Sequence, residues 1–499
     1  MNRRVGWVCP VGAGGAAVSE GSAPAGGREP AGIAYRSARG RWVLAASVLG
    51  SGMAFLDGSV VNVALPHIGS ELDAGFASLQ WTVNGYMLTL AALLLLAGSL
   101  GDRLGRRRVF LVGVVWFALA SLVCALAPTI EVLVAARVVQ GVGGALLTPA
   151  SLALLQVSFT PDDRATAVGA WTGLTGVAAA LGPLLGGWLV DIGSWRLVFV
   201  INLPFAAVIV WAAARHVPES RAPGAAERPL DVGGALLAAL ALAGLTYGLT
   251  EGPGAWGAAA LAALIGGAAL LAGFLVREAR APEPLMPLTL FASRLFSVAN
   301  GVTFLVYAAL AVGLFLLPLQ LQQVLDYTAL QAGFALAPVT LLMLLFSPSA
   351  GRLCRRIGPR VPLAGGSLVI GVGLAWLAMV DAGSGYLTVV LPATIVYGAG
   401  LALIVAPLTA SVLGAAPQER AGIASAINTT VARAAGLLAV AVIPPLAGIV
   451  GADYRDPRAF SAGYGTGMWI CAALCAVGAL LAALALRDAR PSPGEPAHP

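Results

Sequence analysis

The sequence predicts an all-α integral membrane protein with fourteen transmembrane helices, arranged as two six-helix bundles plus two extra central helices. Three observations lead to this prediction. Of the 499 residues, 59% are hydrophobic and only 10% are charged, whereas soluble domains carry about 25% charged residues. Apolar runs of about 20 residues, the length that crosses the hydrocarbon core of a bilayer, recur from Trp42 onward. Short segments that contain most of the arginines separate these runs.

The apolar runs are predicted to be helices. They are apolar on all sides, so periodicity does not reveal their conformation. A backbone that crosses lipid must satisfy its hydrogen bonds within the segment, which favours helices. The fourteen predicted spans are residues 43–66, 80–100, 109–127, 131–157, 164–190, 196–215, 231–250, 257–276, 296–320, 328–350, 361–380, 387–410, 421–448 and 465–486.

These spans divide the chain into five parts. Residues 1–41 contain Gly, Ala, Ser and Arg without periodicity, so we expect a disordered cytoplasmic tail. The other parts are an N-terminal six-helix bundle (42–215), a central linker with two extra transmembrane helices (216–295), a C-terminal six-helix bundle (296–486) and a second cytoplasmic tail (487–499).

The distribution of the 29 basic residues, all of them arginines, predicts the topology. With both termini in the cytoplasm, 24 arginines lie in cytoplasmic segments and three (Arg196, Arg455 and Arg458) lie in outer loops. This excess agrees with the positive-inside rule. The arginines do not form a stripe on one face, so we expect no nucleic-acid partner despite the net charge of +6.

An internal repeat links the two predicted bundles. GSLGDRLGRRR begins after span 2 and GRLCRRIGPR begins after span 10, at an offset of 253 residues. The alignment pairs Gly98 with Gly351, Arg103 with Arg356, Gly105 with Gly358 and Arg107 with Arg360. Two homologous halves are a common construction in membrane transporters.

Four sequence strings together resemble the major facilitator superfamily. They are LDGSVVNVALP in span 1, GDRLGRRR after span 2, RVVQGVGGA in span 4 and LGPLLGG in span 5. With two extra central spans, the chain is similar to the fourteen-span drug/proton antiporter branch of that family over about residues 42–486. The resemblance implies a proton-coupled exporter of drugs and antibiotics in a bacterial inner (plasma) membrane. We expect its substrates to be small, amphipathic organic compounds that are cationic or neutral. The resemblance also implies a monomer without cofactors.

Asp57 and Arg137 are the candidate proton-coupling residues. Asp57 lies within span 1, where an ionised carboxylate costs roughly 2.5–3.5 kcal/mol, so an acid there is functional by default. Burial favours the neutral form of such a group, which allows proton uptake and release. Arg137 lies a turn into span 4 and requires a carboxylate or carbonyl partner. The alternatives are a helix-bonding Asp57, with Asn62 as a partner, and an Arg137 that reaches the interface.

The loop after span 2 is a candidate gate. Its residues Gly98, Asp102, Arg103, Gly105 and Arg107 belong to a short charged segment whose ion pairs can form in one conformation and break in another. The arginines alone would also satisfy a purely topological role, but Gly98, Gly105 and Asp102 favour the gate. The second copy of the repeat carries Arg355 where Asp102 aligns, so the acid is absent there.

Span 5 contains a helix breaker beside small residues. Proline kinks a helix and glycine permits close packing, so this site is predicted to be a kink. In the resembled family this motif marks exporters, although a purely structural kink is nearly as consistent with the residues. The motif consists of Gly182, Pro183, Gly186 and Gly187.

Polar and aromatic residues within the spans are candidates for a substrate cavity. Such side chains also commonly bond across helices. The candidates are Asn62, Gln140, Trp171, Asn300, Tyr307, Gln320, Gln323, Asn428 and Arg433. For Arg433 two roles remain open, which are attraction of an anionic group and cohesion of the C-terminal half.

The sequence excludes several functional classes. The three histidines are scattered, no GxSxG string occurs, and a Walker-type GxxxxGK cannot exist without lysine. Five cysteines without metal spacing indicate no metal site. We therefore expect a transporter driven by an ion gradient, with a small-molecule substrate, protons and the lipid bilayer as partners. The alternatives are an exporter of an endogenous metabolite, a channel, and a non-transporting scaffold or sensor.

Overall fold

A computed structural model describes residues 32–222, 224, 230–252, 257–282, 284–417, 420–451 and 453–486. The C-terminal tail predicted at 487–499 and most of the N-terminal tail predicted at 1–41 lie outside the described residues. The first described helix begins at Ala38, five residues before the predicted start of span 1.

The described residues contain fourteen helices that are long and apolar enough to cross a membrane, which confirms the predicted number of spans. We label them α1 (Ala38–Glu71), α2 (Phe76–Leu104), α3 (Arg106–Ala125), α4 (Ile130–Ser158), α5 (Pro161–Ile192), α6 (Leu197–His216), α7 (Val232–Glu251), α8 (Ala258–Arg280), α9 (Arg294–Gln323), α10 (Ala329–Ile357), α11 (Arg360–Leu377), α12 (Tyr386–Gly414), α13 (Ala421–Leu446) and α14 (Pro457–Ala485).

Local sequence signals account for many helix ends. The side chain of Ser37 accepts a hydrogen bond from the Gly40 N–H at the start of α1. Thr328 and Gln331 form a capping box at the start of α10, which satisfies N–H groups that lack a partner in the helix. Gly105 and Gly358 follow the last residues of α2 and α10 with φ values of +116° and +83°, a conformation that glycine adopts without steric cost.

The helices form two groups. In the first, α4 packs against α2 and α3, and α1 packs against α5 and α6. In the second, α11 packs against α12 and α14, and α9 packs against α13 and α14. The groups meet through α5 with α10, α2 with α13, and α1 with α9. We call α1–α6 the N-terminal half and α9–α14 the C-terminal half.

The two extra helices pack on the outside of these halves. α7 contacts α8, α2 and α13, so it lies across the seam between the halves. Trp81 of α2 donates a hydrogen bond from its indole nitrogen to Glu251 at the end of α7 (3.0 Å). Within their most apolar windows, only 28% of α7 and 17% of α8 are buried by protein, compared with 67% of α9. The remainder of both helices is available to lipid.

The loops alternate between two faces of the helix assembly. The α2–α3, α6–α7, α8–α9 and α10–α11 loops lie on one side, which we call the arginine-rich face. There Arg106 donates its backbone N–H to the Ser220 carbonyl, and Arg39 at the start of α1 bonds the His216 carbonyl at the end of α6. The α1–α2, α5–α6, α9–α10 and α13–α14 loops lie on the opposite face, where Arg455 pairs with Asp73 (2.6 Å).

Candidate functional site: a buried ion pair beside a central cavity

The two predicted coupling residues meet inside the N-terminal half. A guanidinium nitrogen of Arg137 on α4 lies 2.5 Å from a carboxylate oxygen of Asp57 on α1. The relative exposure of each residue is 0%. Arg137 also donates through Nε to the Thr82 carbonyl (3.0 Å), and its guanidinium stacks over the Tyr86 ring at 4.4 Å from the ring centroid. The partner of Arg137, which the sequence left open, is therefore Asp57.

Three polar side chains complete the environment of this ion pair. Gln140 donates to the second Asp57 oxygen (2.9 Å) and accepts from Arg137 (2.5 Å). Asn202 of α6 donates to the same Asp57 oxygen (3.1 Å), and Ser121 of α3 accepts from both amides (2.7 and 3.2 Å). We call Asp57, Arg137, Gln140, Ser121 and Asn202 the ion-pair cluster. It joins α1, α3, α4 and α6.

The energetics of the ion-pair cluster depend on its completeness. A buried salt bridge contributes little net stability when both partners are present, because burial removes both charges from water. Removal of one partner leaves an uncompensated buried charge, which costs about 3–5 kcal/mol. The protonation state of Asp57 therefore decides whether Arg137 has a counter-charge.

A cavity of about 1360 Å³ lies between the two halves. It is large enough for a drug-sized molecule, because ligand pockets usually measure about 300–1,000 Å³. Most of its wall is apolar or aromatic. The membrane-deep wall includes Phe55, Ser59, Trp171, Thr175, Tyr307, Leu310, Met343 and Thr429.

The cavity extends to the arginine-rich face. The lining on that side comes from the α2–α3, α6–α7, α8–α9 and α12–α13 connections, which are represented by Asp102, Leu230, Pro287, Thr289 and Arg420. We call this part of the lining the cavity mouth. The structure thus presents a central cavity that opens toward one face of the membrane.

On the opposite face the two halves are in contact. Asp191 at the end of α5 accepts hydrogen bonds from the backbone N–H groups of Ala329 (3.2 Å) and Leu330 (3.1 Å) at the start of α10. Gln80 of α2 bonds the Val440 carbonyl (2.5 Å) of α13. These contacts close the assembly on the side away from the cavity mouth.

α1 connects the cavity to the ion-pair cluster. Phe55 and Ser59 line the cavity, whereas Asp57 between them points to α4. Residues two positions apart lie on nearly opposite sides of a helix, since each residue rotates the helix by about 100°. Any change of charge at Asp57 therefore acts on the helix that forms the cavity wall.

The loop predicted to be a gate holds a network of ion pairs at the cavity mouth. Asp102 pairs with Arg106 (2.7 Å), and Glu219 in the α6–α7 connection lies 3.8 Å from Arg107 and from Arg108. Asp102 thus pairs within its own loop in this structure. Gating by the loop stays a prediction.

The glycines of the α5 motif lie at close helix contacts. A Cβ atom on Gly182 would lie 1.9 Å from the Ser59 hydroxyl of α1, and one on Gly187 would lie 2.3 Å from the Ala329 carbonyl oxygen of α10. Gly186 faces the Val60 backbone in the same way. α5 continues past Pro183 to Ile192. The motif therefore permits α5 to approach both α1 and α10.

The other cavity candidates occupy different places. Trp171 and Tyr307 line the cavity. Gln140 belongs to the ion-pair cluster, and Asn428 bonds Asn300 (3.1 Å) across α13 and α9. The cavity lining among the described residues does not include Asn62, Gln140, Asn300, Gln320, Gln323, Asn428 or Arg433.

The sequence analysis did not identify several residues that form contacts at the site. Ser121 and Asn202 bond within the ion-pair cluster, and both are polar residues inside or at the start of apolar runs. Asp191 and Glu219 lie at helix ends, where acids are common. A search for every polar residue in the spans would have found the first two, but nothing in the sequence distinguishes the last two.

Comparison with known proteins identifies the family. Residues 47–440 match the Major Facilitator Superfamily. The tetracenomycin C resistance and export protein of Streptomyces glaucescens is 37% identical over 83% of this chain and 78% of its own length. The methylenomycin A resistance protein of Streptomyces coelicolor is 37% identical over 86% of this chain and 89% of its own length.

A solved structure shares the fold. The structure of a bacterial homologue of the human lysosomal transporter Spinster superposes with a TM-score of 0.65 at 17% identity, over 90% of this chain and 97% of the other. The sequence matches, the fourteen spans and this fold agree with one another. The chain belongs to the Major Facilitator Superfamily of membrane transporters.

Proposed function

We propose that this protein exports small amphipathic organic compounds, antibiotics among them, across a bacterial plasma membrane in exchange for protons. The cavity between the two halves carries this proposal, because it opens toward one face only and shares α1 with the buried ion pair. The names of the two sequence relatives, which denote antibiotic resistance or export, support the class of substrate.

The topology identifies the side of the membrane that the open cavity faces. We place the arginine-rich face and both termini in the cytoplasm, as the arginine distribution favours. The structure then represents a state that receives substrate from the cytoplasm. Export requires the contacts between α5 and α10 to break while the cavity mouth closes, which is alternating access around a central site.

Proton coupling follows from the ion-pair cluster. A proton on Asp57 removes the counter-charge of Arg137 and weakens the hydrogen bonds that Asp57 accepts from Gln140 and Asn202. α1 then loses its strongest attachment to α4, and the cavity wall at Phe55 and Ser59 moves with it. Substrate in the cavity must in turn change the proton affinity of Asp57, because coupling between two sites is reciprocal.

The test uses inverted membrane vesicles with an imposed pH gradient and a panel of antibiotics. We expect gradient-driven uptake of at least one compound by the wild type. D57N, which resembles the protonated form, is expected to retain binding and lose gradient-driven transport. D162N is the matched control, because Asp162 is an exposed acid in the first turn of α5.

Two outcomes would contradict the proposal. Full gradient-driven transport by D57N would show that Asp57 does not couple protons. No uptake of any antibiotic by the wild type would favour a scaffold, a sensor or an exporter of an endogenous metabolite.

A further inference from the structure

Arg433 carries a permanent charge in the middle of the membrane. It is the thirteenth of the 26 residues of α13, which places it about 18 Å from the helix start at 1.5 Å per residue. The guanidinium group does not lose its proton in proteins, so the charge cannot be removed by neutralisation. A charge at this depth requires a partner.

Arg433 makes its contacts to the other half of the molecule. It donates to the Met87 sulfur (3.7 Å) and stacks over the Phe55 ring at 5.0 Å from the centroid. Among the described residues no carboxylate lies within ion-pair distance of Arg433, whereas Arg137 has Asp57 at 2.5 Å. Arg433 therefore does not hold the C-terminal half together, and its charge has no anionic partner within the described chain.

Arg433 is not itself part of the cavity lining, but its contacts place it next to lining residues at the deep end of the cavity. Phe55, which its guanidinium covers, lines the cavity, and so does Thr429 one turn earlier on α13. One turn later, a Cβ atom on Gly436 would lie 4.0 Å from the backbone oxygen of Tyr307, another lining residue. The side chain thus lies where the two halves meet above the cavity.

Two hydrogen-bond donors line this cavity, which are the Trp171 indole and the Tyr307 hydroxyl. The indole nitrogen of Trp171 is buried without a partner in the described structure. The Tyr307 hydroxyl forms no hydrogen bond to any other described residue. A guanidinium, an indole N–H and a hydroxyl together favour a ligand that accepts hydrogen bonds and carries negative charge.

The acids that line the described cavity are already paired. They lie at the cavity mouth, where Asp102 pairs with Arg106 (2.7 Å) and Asp231 pairs with Arg277 (2.6 Å). Burial raises the pKa of Asp231, but hydrogen bonds from Arg277 and Gly234 outweigh burial and hold that pKa below its usual value. A cationic compound therefore finds no free carboxylate deep in the cavity.

We propose that Arg433 binds the anionic group of the transported compound, so that the substrates are amphipathic organic acids. This inference rests on the proposed export function. The acid group replaces the contact of Arg433 with the Phe55 ring by a charge-assisted hydrogen bond, which is stronger. The apolar part of the molecule packs against the aromatic and aliphatic wall below it.

The test compares two probes that share one ring system, 2-naphthoate and its neutral amide, 2-naphthamide. Binding to the purified full chain is measured by equilibrium dialysis. We expect the wild type to bind the carboxylate about tenfold or more tightly than the amide, as a charge-assisted hydrogen bond implies. R433Q is expected to lose this preference, and R433K to keep part of it.

Two variants complete the design. R458Q is the matched control, because Arg458 is an exposed arginine on the opposite face. Y307F removes only a hydroxyl and is expected to weaken carboxylate binding several-fold and amide binding less, because a hydrogen bond to an ionised acceptor is stronger. If R433Q fails to fold, as judged by its thermal unfolding midpoint, Y307F still tests whether the anionic group binds at this place.

The possible outcomes separate this inference from the export function. Equal binding of the two probes by the wild type, no carboxylate binding, or an unchanged preference in R433Q and Y307F would overturn the anion site. The wild type could instead prefer the carboxylate in a way that depends on Arg433, yet show no gradient-driven transport in vesicles. That result would overturn the export function and leave the anion site in place.

Discussion

At the scale of single residues, two arginines in the membrane interior differ in their burial and in their partners. Arg137 has a carboxylate, a carbonyl and an aromatic ring as partners, and its relative exposure is 0%. Arg433 is half-buried and contacts a sulfur atom and an aromatic ring. The first is part of a closed cluster within one half, whereas the second faces the space between the halves. The same residue type thus has two different environments in this structure.

The ion pair leads to a prediction about stability. R137Q leaves the buried Asp57 carboxylate without a counter-charge, so we expect the free energy of unfolding to fall by about 3–5 kcal/mol. The double variant D57N/R137Q contains no buried charge at this place and is expected to recover most of that loss. Thermal unfolding midpoints of the wild type, both single variants and the double variant in detergent measure the coupling between the two sites. If the losses of stability in the two single variants add up to the loss in the double variant, the ion pair does not act as a unit.

At the scale of helices, the contact between α5 and α10 maintains the closed face. The first N–H groups of a helix lack partners within the helix and carry partial positive charge. Asp191 of α5 accepts hydrogen bonds from two of these groups, at Ala329 and Leu330 of α10. Gly187 permits the backbones to touch just below this point. The contact between α5 and α10 therefore depends on an acid and on the missing side chains of glycines, namely Gly187 of α5 and Gly333 of α10.

This contact leads to a prediction about the conformational equilibrium. In G187A, the new Cβ atom would lie 2.3 Å from a backbone oxygen of α10, which cannot rotate away. We expect α5 and α10 to separate and the population to shift toward a form that is open on the opposite face. Spin labels at Ser70 and Asp326, both exposed on that face, report the distance between the halves.

Gly176 provides the matched control for this experiment. It lies on the same helix, and a Cβ atom there meets no atom within 4 Å. G176A is therefore expected to give the distance distribution of the wild type. A wild-type distribution in G187A as well would mean that the close approach at Gly187 does not control opening.

At the scale of the whole molecule, α7 joins the two halves, and α8 packs against α7. α7 contacts α2 of the N-terminal half and α13 of the C-terminal half. The connection that precedes α7 also bonds the α2–α3 loop, because Ala222 donates to the Asp102 carbonyl (3.0 Å). When the two halves separate along this seam, α7 must therefore either slide over one half or move together with the other.

The topology gives a prediction for the entire chain. In a variant without native cysteines, L104C on the arginine-rich face is expected to react with a membrane-impermeant thiol reagent only in inverted vesicles. D326C on the opposite face is expected to react only in right-side-out cells. Both positions are exposed, so a lack of access does not explain a failure to react. The reverse pattern would invert the orientation, and the structure would then represent a state that is open to the outside.

The sequence by itself determined the number of spans, the family and the presence of charged residues within the spans at Asp57 and Arg137. Lipid imposes these features locally, since length, hydropathy and the cost of a buried charge can be read residue by residue. Only the tertiary structure decided that Gln140 belongs to the ion-pair cluster, that Tyr307 lines the cavity and that Arg433 faces the opposite half. These facts depend on the rotation of each helix about its axis. Spans that are apolar on all sides do not encode that rotation, so packing between the helices determines it.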